Sequence, residues 1–147
     1  MLKSILFSAA TSALLLATTA HAAAINAVDA FVREVPPGSP ATAAFMTLQN
    51  TSDTPVRLIS ADNELTAHSE LHNHVEVDGV MQMRQIEQIE VPANGEVNLA
   101  PGGLHLMLIG LESPVRKGDE VALTLRFDNG DTLELTAPVR PVMPMSH

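Results

Sequence analysis

Three Asx-Gly dipeptides, Asp78-Gly79, Asn94-Gly95 and Asn129-Gly130, punctuate segments that are short and rich in Val, Leu, Ile and Thr. Such dipeptides reach φ > 0 at little cost and favour two-residue hairpin loops. Ten Pro and eight Gly add further breaks, because each Pro fixes its own φ and withholds an N–H. Pro36-Pro37-Gly38-Ser39-Pro40 forms one stiff loop and Pro101-Gly102-Gly103 another. No stretch carries a long helical period with both caps. Short alternating runs between turn signals predict an all-β domain, either a sandwich or a small barrel. The expected strands are Ala27–Arg33, Thr42–Gln49, Val56–Ala61, Ser69–Val77, Val80–Glu87, Gln88–Val91, Glu96–Leu99, Leu104–Ile109, Glu120–Phe127 and Thr132–Ala137.

The first 22 residues read as a cleaved secretory signal peptide. Lys3 supplies the positive start, Ile5 to Leu16 the apolar stretch, and Ala20-His21-Ala22 the small-x-small cleavage pattern. That stretch falls short of the roughly 20 residues a membrane span needs. The expectation is an exported, soluble chain without membrane insertion, with one domain over residues 23–140 and a short Met/His tail over 141–147. There is no Cys, which removes disulfides, thiolate nucleophiles and cysteine-ligated cofactors. A blue-copper site, which needs a thiolate, is thereby closed. A net charge of −9 argues against nucleic acid and anionic membrane surfaces. With no Trp or Tyr, stacking on bases or sugars is poorly supported. Neither a Ser/His/Asp arrangement nor a paired-carboxylate motif stands out, so no enzymatic activity is expected.

One set of residues stands apart: His72, Met83, His105 and Met107, with His74 and Met81 beside them and Met143, Met145 and His147 closing the chain. Imidazole suits several metals, but thioether sulfur narrows the choice towards Cu(I). Strand alternation sends His105 and Met107 to one face and Leu104, Leu106 and Leu108 to the other, towards the core. A two-residue loop at Asp78-Gly79 sets Val77 opposite Val80, His74 opposite Met83 and Glu76 opposite Met81, with His72 diagonal to Met83. Both His72 and His74 can approach Met83, and register does not choose between them. Two imidazoles and two thioethers are all neutral, so a bound Cu(I) keeps its charge and can be passed on. Thiolates would hold it harder and oxidise. Met46, in the apolar Ala43–Leu48 run, reads as core filler and Met81 as peripheral. His68 reads as a surface residue, and His74 as either a ligand or a group supporting one. Glu70, Glu76 and Asp78 form an acidic rim or simply a solvated face.

These residues resemble the PCu(A)C family of periplasmic copper chaperones. Its signature is a His, ten residues, a Met, twenty-one residues, then His-x-Met, and here His72, Met83, His105-Leu106-Met107 fall on that spacing. Glu70-Leu71-His72, Asp78-Gly79-Val80-Met81, Ala43-Ala44-Phe45-Met46 with Asn50, and Pro101-Gly102-Gly103-Leu104-His105-Leu106-Met107-Leu108 carry the resemblance over nearly the whole domain. It implies a cupredoxin-like Greek-key β-sandwich in the periplasm, binding one Cu(I) through His72, Met83, His105 and Met107. It also implies that His72 rather than His74 is the primary ligand. The partners it implies are cytochrome c oxidase subunit II, whose CuA centre receives the copper, and a Sco-type copper protein. Some members take Cu(II) in a long C-terminal extension, of which Met143-Pro144-Met145-Ser146-His147 is a short counterpart with a single His. The competing readings are a copper storage or resistance protein without a dedicated acceptor, and a metal-free sandwich domain of adhesin or assembly type.

Overall fold

The computed structural model describes residues 24–141. The expected signal peptide and the tail donors Met143, Met145 and His147 lie outside the described residues. Ten strands follow one another: β1 (Ile25–Arg33), β2 (Ala41–Asn50), β3 (Val56–Asn63), β4 (His68–Val77), β5 (Val80–Ile86), β6 (Ile89–Val91), β7 (Glu96–Leu99), β8 (His105–Ile109), β9 (Glu120–Phe127) and β10 (Thr132–Arg140). Each corresponds to an expected strand. The largest difference is at β10, which runs past Pro138 because Val139 returns to the core beside Val32 of β1.

One sheet has the order β5-β4-β8-β2-β1, and the other β10-β9-β3-β6. A short parallel pairing, Val32↔Val139 and Arg33↔Arg140, joins them at one corner. The chain crosses from one sheet to the other at β2–β3, β3–β4, β5–β6, β6–β7 and β8–β9, giving the expected β-sandwich of cupredoxin-like type. Its core draws on both layers: Ala44, Met46, Leu48, Leu71, Leu106 and Leu108 from the first, and Leu58, Val91, Val121, Leu123, Leu125 and Phe127 from the second. Fully burying one such large side chain contributes on the order of 1.5–3 kcal/mol, so packing takes the place of the missing disulfides. Met46 is core, as its surroundings predict.

The three Asx-Gly turns do not behave alike. Asp78 and Gly79 both have positive φ, 52° and 79°, and close the β4–β5 hairpin as expected. Asn129-Gly130 also lies in a hairpin, but its loop is longer: Arg126↔Thr132 is the last register pair, and the Gly130 N–H bonds to the Phe127 carbonyl. Asn94-Gly95 closes no hairpin, because its flanking strands belong to different sheets, β6 beside β3 and β7 beside β2. Here the glycine is needed for space: a Cβ at Gly95 would lie 2.9 Å from the Pro92 ring.

Two irregularities shape the outer face of the first sheet. β1 carries an extra residue opposite β2, since Val28 pairs with Thr47 but Phe31 with Phe45. Asp29, at φ 53°, absorbs this bulge, and the bulge turns Phe31 outward beside Phe45 rather than into the core. The second irregularity lies along β2, where β7 and β8 lie end to end (Met46↔Leu99, then Ala44↔Leu106). Between those pairs the chain makes a five-residue excursion, Ala100 to Leu104. This side loop and the Arg33–Pro36 segment cover the outer face of β2, so Thr42 to Met46 are buried on both faces instead of alternating.

Candidate metal centre

The β4–β5 register is the expected one, with His74↔Met83, Glu76↔Met81 and Val77↔Val80. β8 then pairs with the other side of β4, placing His72 opposite His105 and Glu70 opposite Met107. Alternation does the rest: Leu106 and Leu108 are fully buried on the core side, while His105 and Met107 face outward. A cleft of about 300 Å³ opens on that face, walled by Met83, His74, His105, Met107, Phe45 and Pro101 among others. Met83 and Met107 thus reach one cleft from strands on opposite sides of β4. Met83 is 45% exposed and Met81 55%, so the cleft has a sulfur-bearing rim open to solvent.

His105 sits at the centre of an aromatic cluster. Its ring centroid lies 5.6 Å from that of His72, 5.2 Å from His74 and 6.2 Å from Phe45. Phe45 in turn stacks on Phe31 at 5.1 Å. At 2% exposure His105 is buried, far more than a lone surface His. Its Nδ1 donates to the Gly103 carbonyl at 2.9 Å, a bond that the Ala100–Leu104 excursion makes possible. That fixes the proton on Nδ1 and leaves the Nε2 lone pair free. Burial pushes the His105 pKa down, outweighing the Gly103 bond, and the neighbouring imidazoles of His74 and His72 add to the depression. The ring is therefore neutral at pH 7, the form a metal requires.

His72 is held from the other side. Its Nε2 lies 2.6 Å from one Glu70 oxygen, while His68 Nε2 lies 2.8 Å from the other. Hydrogen bonds from His72, then His68, lower the Glu70 pKa. Two buried nitrogens, His72 Nδ1 and His74 Nδ1, have no hydrogen-bond partner among the described residues. Unpaired buried nitrogens are costly; the one on His74 belongs to a residue that lines the cleft with two thioethers, and the one on His72 to a ring 5.6 Å from that of His105. Among the described residues no three His, Asp or Glu side chains form a cation cage; the cleft brings imidazole and thioether donors together, with Glu34 also in its lining.

The four residues expected as ligands therefore occupy three adjacent strands of one sheet face. His74 lines the cleft and His72 is not among its lining residues, but the His72 ring is the one held by a side-chain hydrogen bond, to Glu70. Met81 stands on the same face nearer the hairpin tip, and His68 is a surface residue as expected, its side chain 61% exposed. Glu70 is more than an acidic rim: it bridges two histidines. The Glu-x-His spacing, which puts both side chains on one strand face, is the signal that would have found it. The roles of Gly103 and Phe31 depend on an excursion and a bulge that no short motif announces.

The fold and this face define a β-sandwich of the PCuAC domain type. A family model described as LpqE-like lipoprotein matches residues 25–139, and the chain belongs to that family. Lxx21020 of Leifsonia xyli subsp. xyli, whose name describes a lipoprotein, is 35% identical over 104 residues, 70% of this chain and 63% of that protein. The chain thus spans less than two thirds of the length of that curated relative. Among solved structures, Cu(I)-DR1885 from Deinococcus radiodurans is 36% identical, with 84% of this chain and 85% of that one covered at a TM-score of 0.64. The copper-bound PCuAC domain of PmoF2 is 22% identical, with 81% and 94% covered at a TM-score of 0.68, and shares the fold.

Three groups with depressed pKa values set an acid limit on stability. They are His105, Glu70 and Asp128, the last held by the Arg57 backbone N–H and, less strongly, its guanidinium. Each binds its proton more weakly folded than unfolded, so its stabilisation is present above the unfolded pKa and lost as pH falls through the folded one. The Tm of the metal-free protein is expected to fall on acidification in two limbs. The first begins below pH 6.5 from His105, and the second in the carboxylate range, below the ordinary values of 4.5 and 3.8 for Glu70 and Asp128. A Tm that stays level or rises from pH 7 to 3 contradicts this assignment.

Proposed function

We propose that this chain is a periplasmic copper metallochaperone that binds one Cu(I) through His72, Met83, His105 and Met107. It delivers that ion towards the CuA centre of cytochrome c oxidase. The observation that carries the reading is the cleft itself, where two thioethers meet the His74 and His105 imidazoles, with the His72 ring 5.6 Å from that of His105. Similarity to DR1885, solved with Cu(I), supports copper as the ion. The LpqE-like lipoprotein family and the apparent leader support a location outside the cytoplasm.

Delivery follows from the chemistry of the donors. All four are neutral, so the complex keeps a net +1 at the site and the ligands have no proton to lose or regain as the ion departs. Met83, at the exposed rim, is the donor an incoming acceptor ligand would displace first. His105 and Met107, deeper on β8, release last. Exchange of one ligand at a time never leaves Cu(I) bare, and no bond-making catalysis is involved. The acceptor is the oxidase subunit II, acting with a Sco-type partner.

The test is an anaerobic Cu(I) competition titration of the mature protein with copper-edge X-ray absorption on the product. One equivalent with mixed nitrogen and thioether scattering is expected, followed by copper transfer when an isolated CuA domain is added. Met83→Leu and Met107→Leu keep size and apolarity, so folding holds to within about 1.5 kcal/mol, while Cu(I) affinity falls at least ~10-fold in each. Both variants binding Cu(I) like the parent, or ligation by nitrogen and oxygen alone, would remove the site assignment. Copper that is bound but never passed to the CuA domain would favour storage over delivery.

A further inference from the structure

We propose that Glu70 is a positioning residue that presents His72 to the metal through Nδ1, while the Gly103 carbonyl presents His105 through Nε2. The two imidazoles would thus bind copper through opposite ring nitrogens. This rests on the Cu(I) reading above and goes further, naming the ligating atoms and the group that selects one of them.

A carboxylate can only accept, so a 2.6 Å contact between His72 Nε2 and Glu70 Oε2 places the proton on Nε2. The lone pair is then on Nδ1, the atom that is buried and unpartnered. At His105 the opposite holds: Nδ1 carries the proton, given to the Gly103 carbonyl at 2.9 Å, and Nε2 is free. Both arrangements match the way metal-bound imidazoles are oriented by a bond from their second nitrogen. The alternation of β4 makes the first possible, since Glu70 and His72 share a face and Glu70 stands opposite Met107. His68, on the same face, occupies the second carboxylate oxygen at 2.8 Å and so limits rotation of the Glu70 head. His74 also has an unpartnered Nδ1, but among the described contacts no carboxylate or carbonyl orients its ring. That difference gives a physical reason for His72 to be the ligand and His74 its neighbour, a choice that hairpin register leaves open.

Long-range ¹H–¹⁵N correlation on metal-free protein labelled at histidine reads the tautomers directly. His72 is expected protonated on Nε2 and His105 on Nδ1. On adding one equivalent of Cu(I), the large ¹⁵N shifts should fall on His72 Nδ1 and His105 Nε2. Glu70→Ala should leave His72 as a mixture of tautomers and weaken Cu(I) binding ~10-fold or more. Glu70→Gln, whose side-chain oxygen still accepts, should restore most of both. A copper-induced shift on His72 Nε2, or parent-like affinity in Glu70→Ala with its tautomer unchanged, overturns the proposal while leaving the Cu(I) site standing. A parent protein that takes up no Cu(I) overturns the functional reading itself, and the tautomers of the metal-free protein still report whether Glu70 and Gly103 orient the rings.

Discussion

Replacing His105 by Ala is expected to abolish the proposed Cu(I) binding and to leave a folded domain. The loss should exceed the roughly 10–100-fold that removal of an outer hydrogen-bond partner costs a metal site, because His105 is the ring at the centre of the imidazole cluster. Its ring lies within 5.6 Å of both other imidazoles, and its strand neighbour Met107 supplies a sulfur. The fold should survive because the ring faces away from the leucines, against the cleft rather than the inter-sheet core. The Gly103 carbonyl loses its donor in the variant, at about 1–3 kcal/mol if water does not replace it. Far-UV circular dichroism together with the competition titration decides the matter. An unfolded variant would make His105 a core residue, and a folded variant with parent-like affinity would remove it from the site.

Leu106→Ala should do the reverse, with a stability loss of about 2–5 kcal/mol. Leu106 is fully buried, points to the core side between His105 and Met107, and pairs with Ala44 on one side and Leu71 on the other. Neither neighbour is large enough to fill the gap. Against a typical total of about 5–15 kcal/mol, this is a large effect, and Leu108, equally buried on β8, should behave alike. Urea denaturation measures it. With Cu(I) bound at the proposed site, which only the folded chain assembles, adding copper should recover part of the loss by mass action. Recovery by copper in Leu106→Ala but not in His105→Ala would separate the core face of β8 from its metal face. A loss below about 1 kcal/mol would mean that the leucine side of β8 is not packed as described.

Much of this arrangement is legible in the residues. Leu104-His105-Leu106-Met107-Leu108 announces its two faces by alternation, and Asp78-Gly79 sets the register of β4 against β5 through a local turn. Local signals of this kind act over two to ten residues, so they survive without knowledge of the rest of the chain. What escapes them is non-local. Asn94-Gly95 has the composition of a hairpin turn yet bridges two sheets, because pairing partners are chosen by the whole sandwich and not by the turn. The burial of Ala43 and Phe45 on the outer face of β2 comes from the Arg33–Pro36 and Ala100–Leu104 segments folding over it. The Glu70 link to His72 was readable from spacing, but its meaning depends on which ring nitrogen faces the cleft, a matter of side-chain geometry.

The bulge at Asp29 has a consequence for how the sandwich and the cleft share one strand. Upstream of it, Ile25 and Ala27 sit on the interior side of β1, and downstream Val32 does, although the even spacing between Ala27 and Val32 is broken. The extra residue works as a phase shifter, letting one strand serve the interior at both ends while Phe31 still stands on the outer face against Phe45, which lines the cleft. Strict alternation continued through the same residues would instead send Phe31 inward and Val32 outward, and strip Phe45 of its stacking partner without changing any of the proposed ligands. In this molecule the spatial phase of a strand, and not only its chemistry, decides what stands behind the proposed copper ligands.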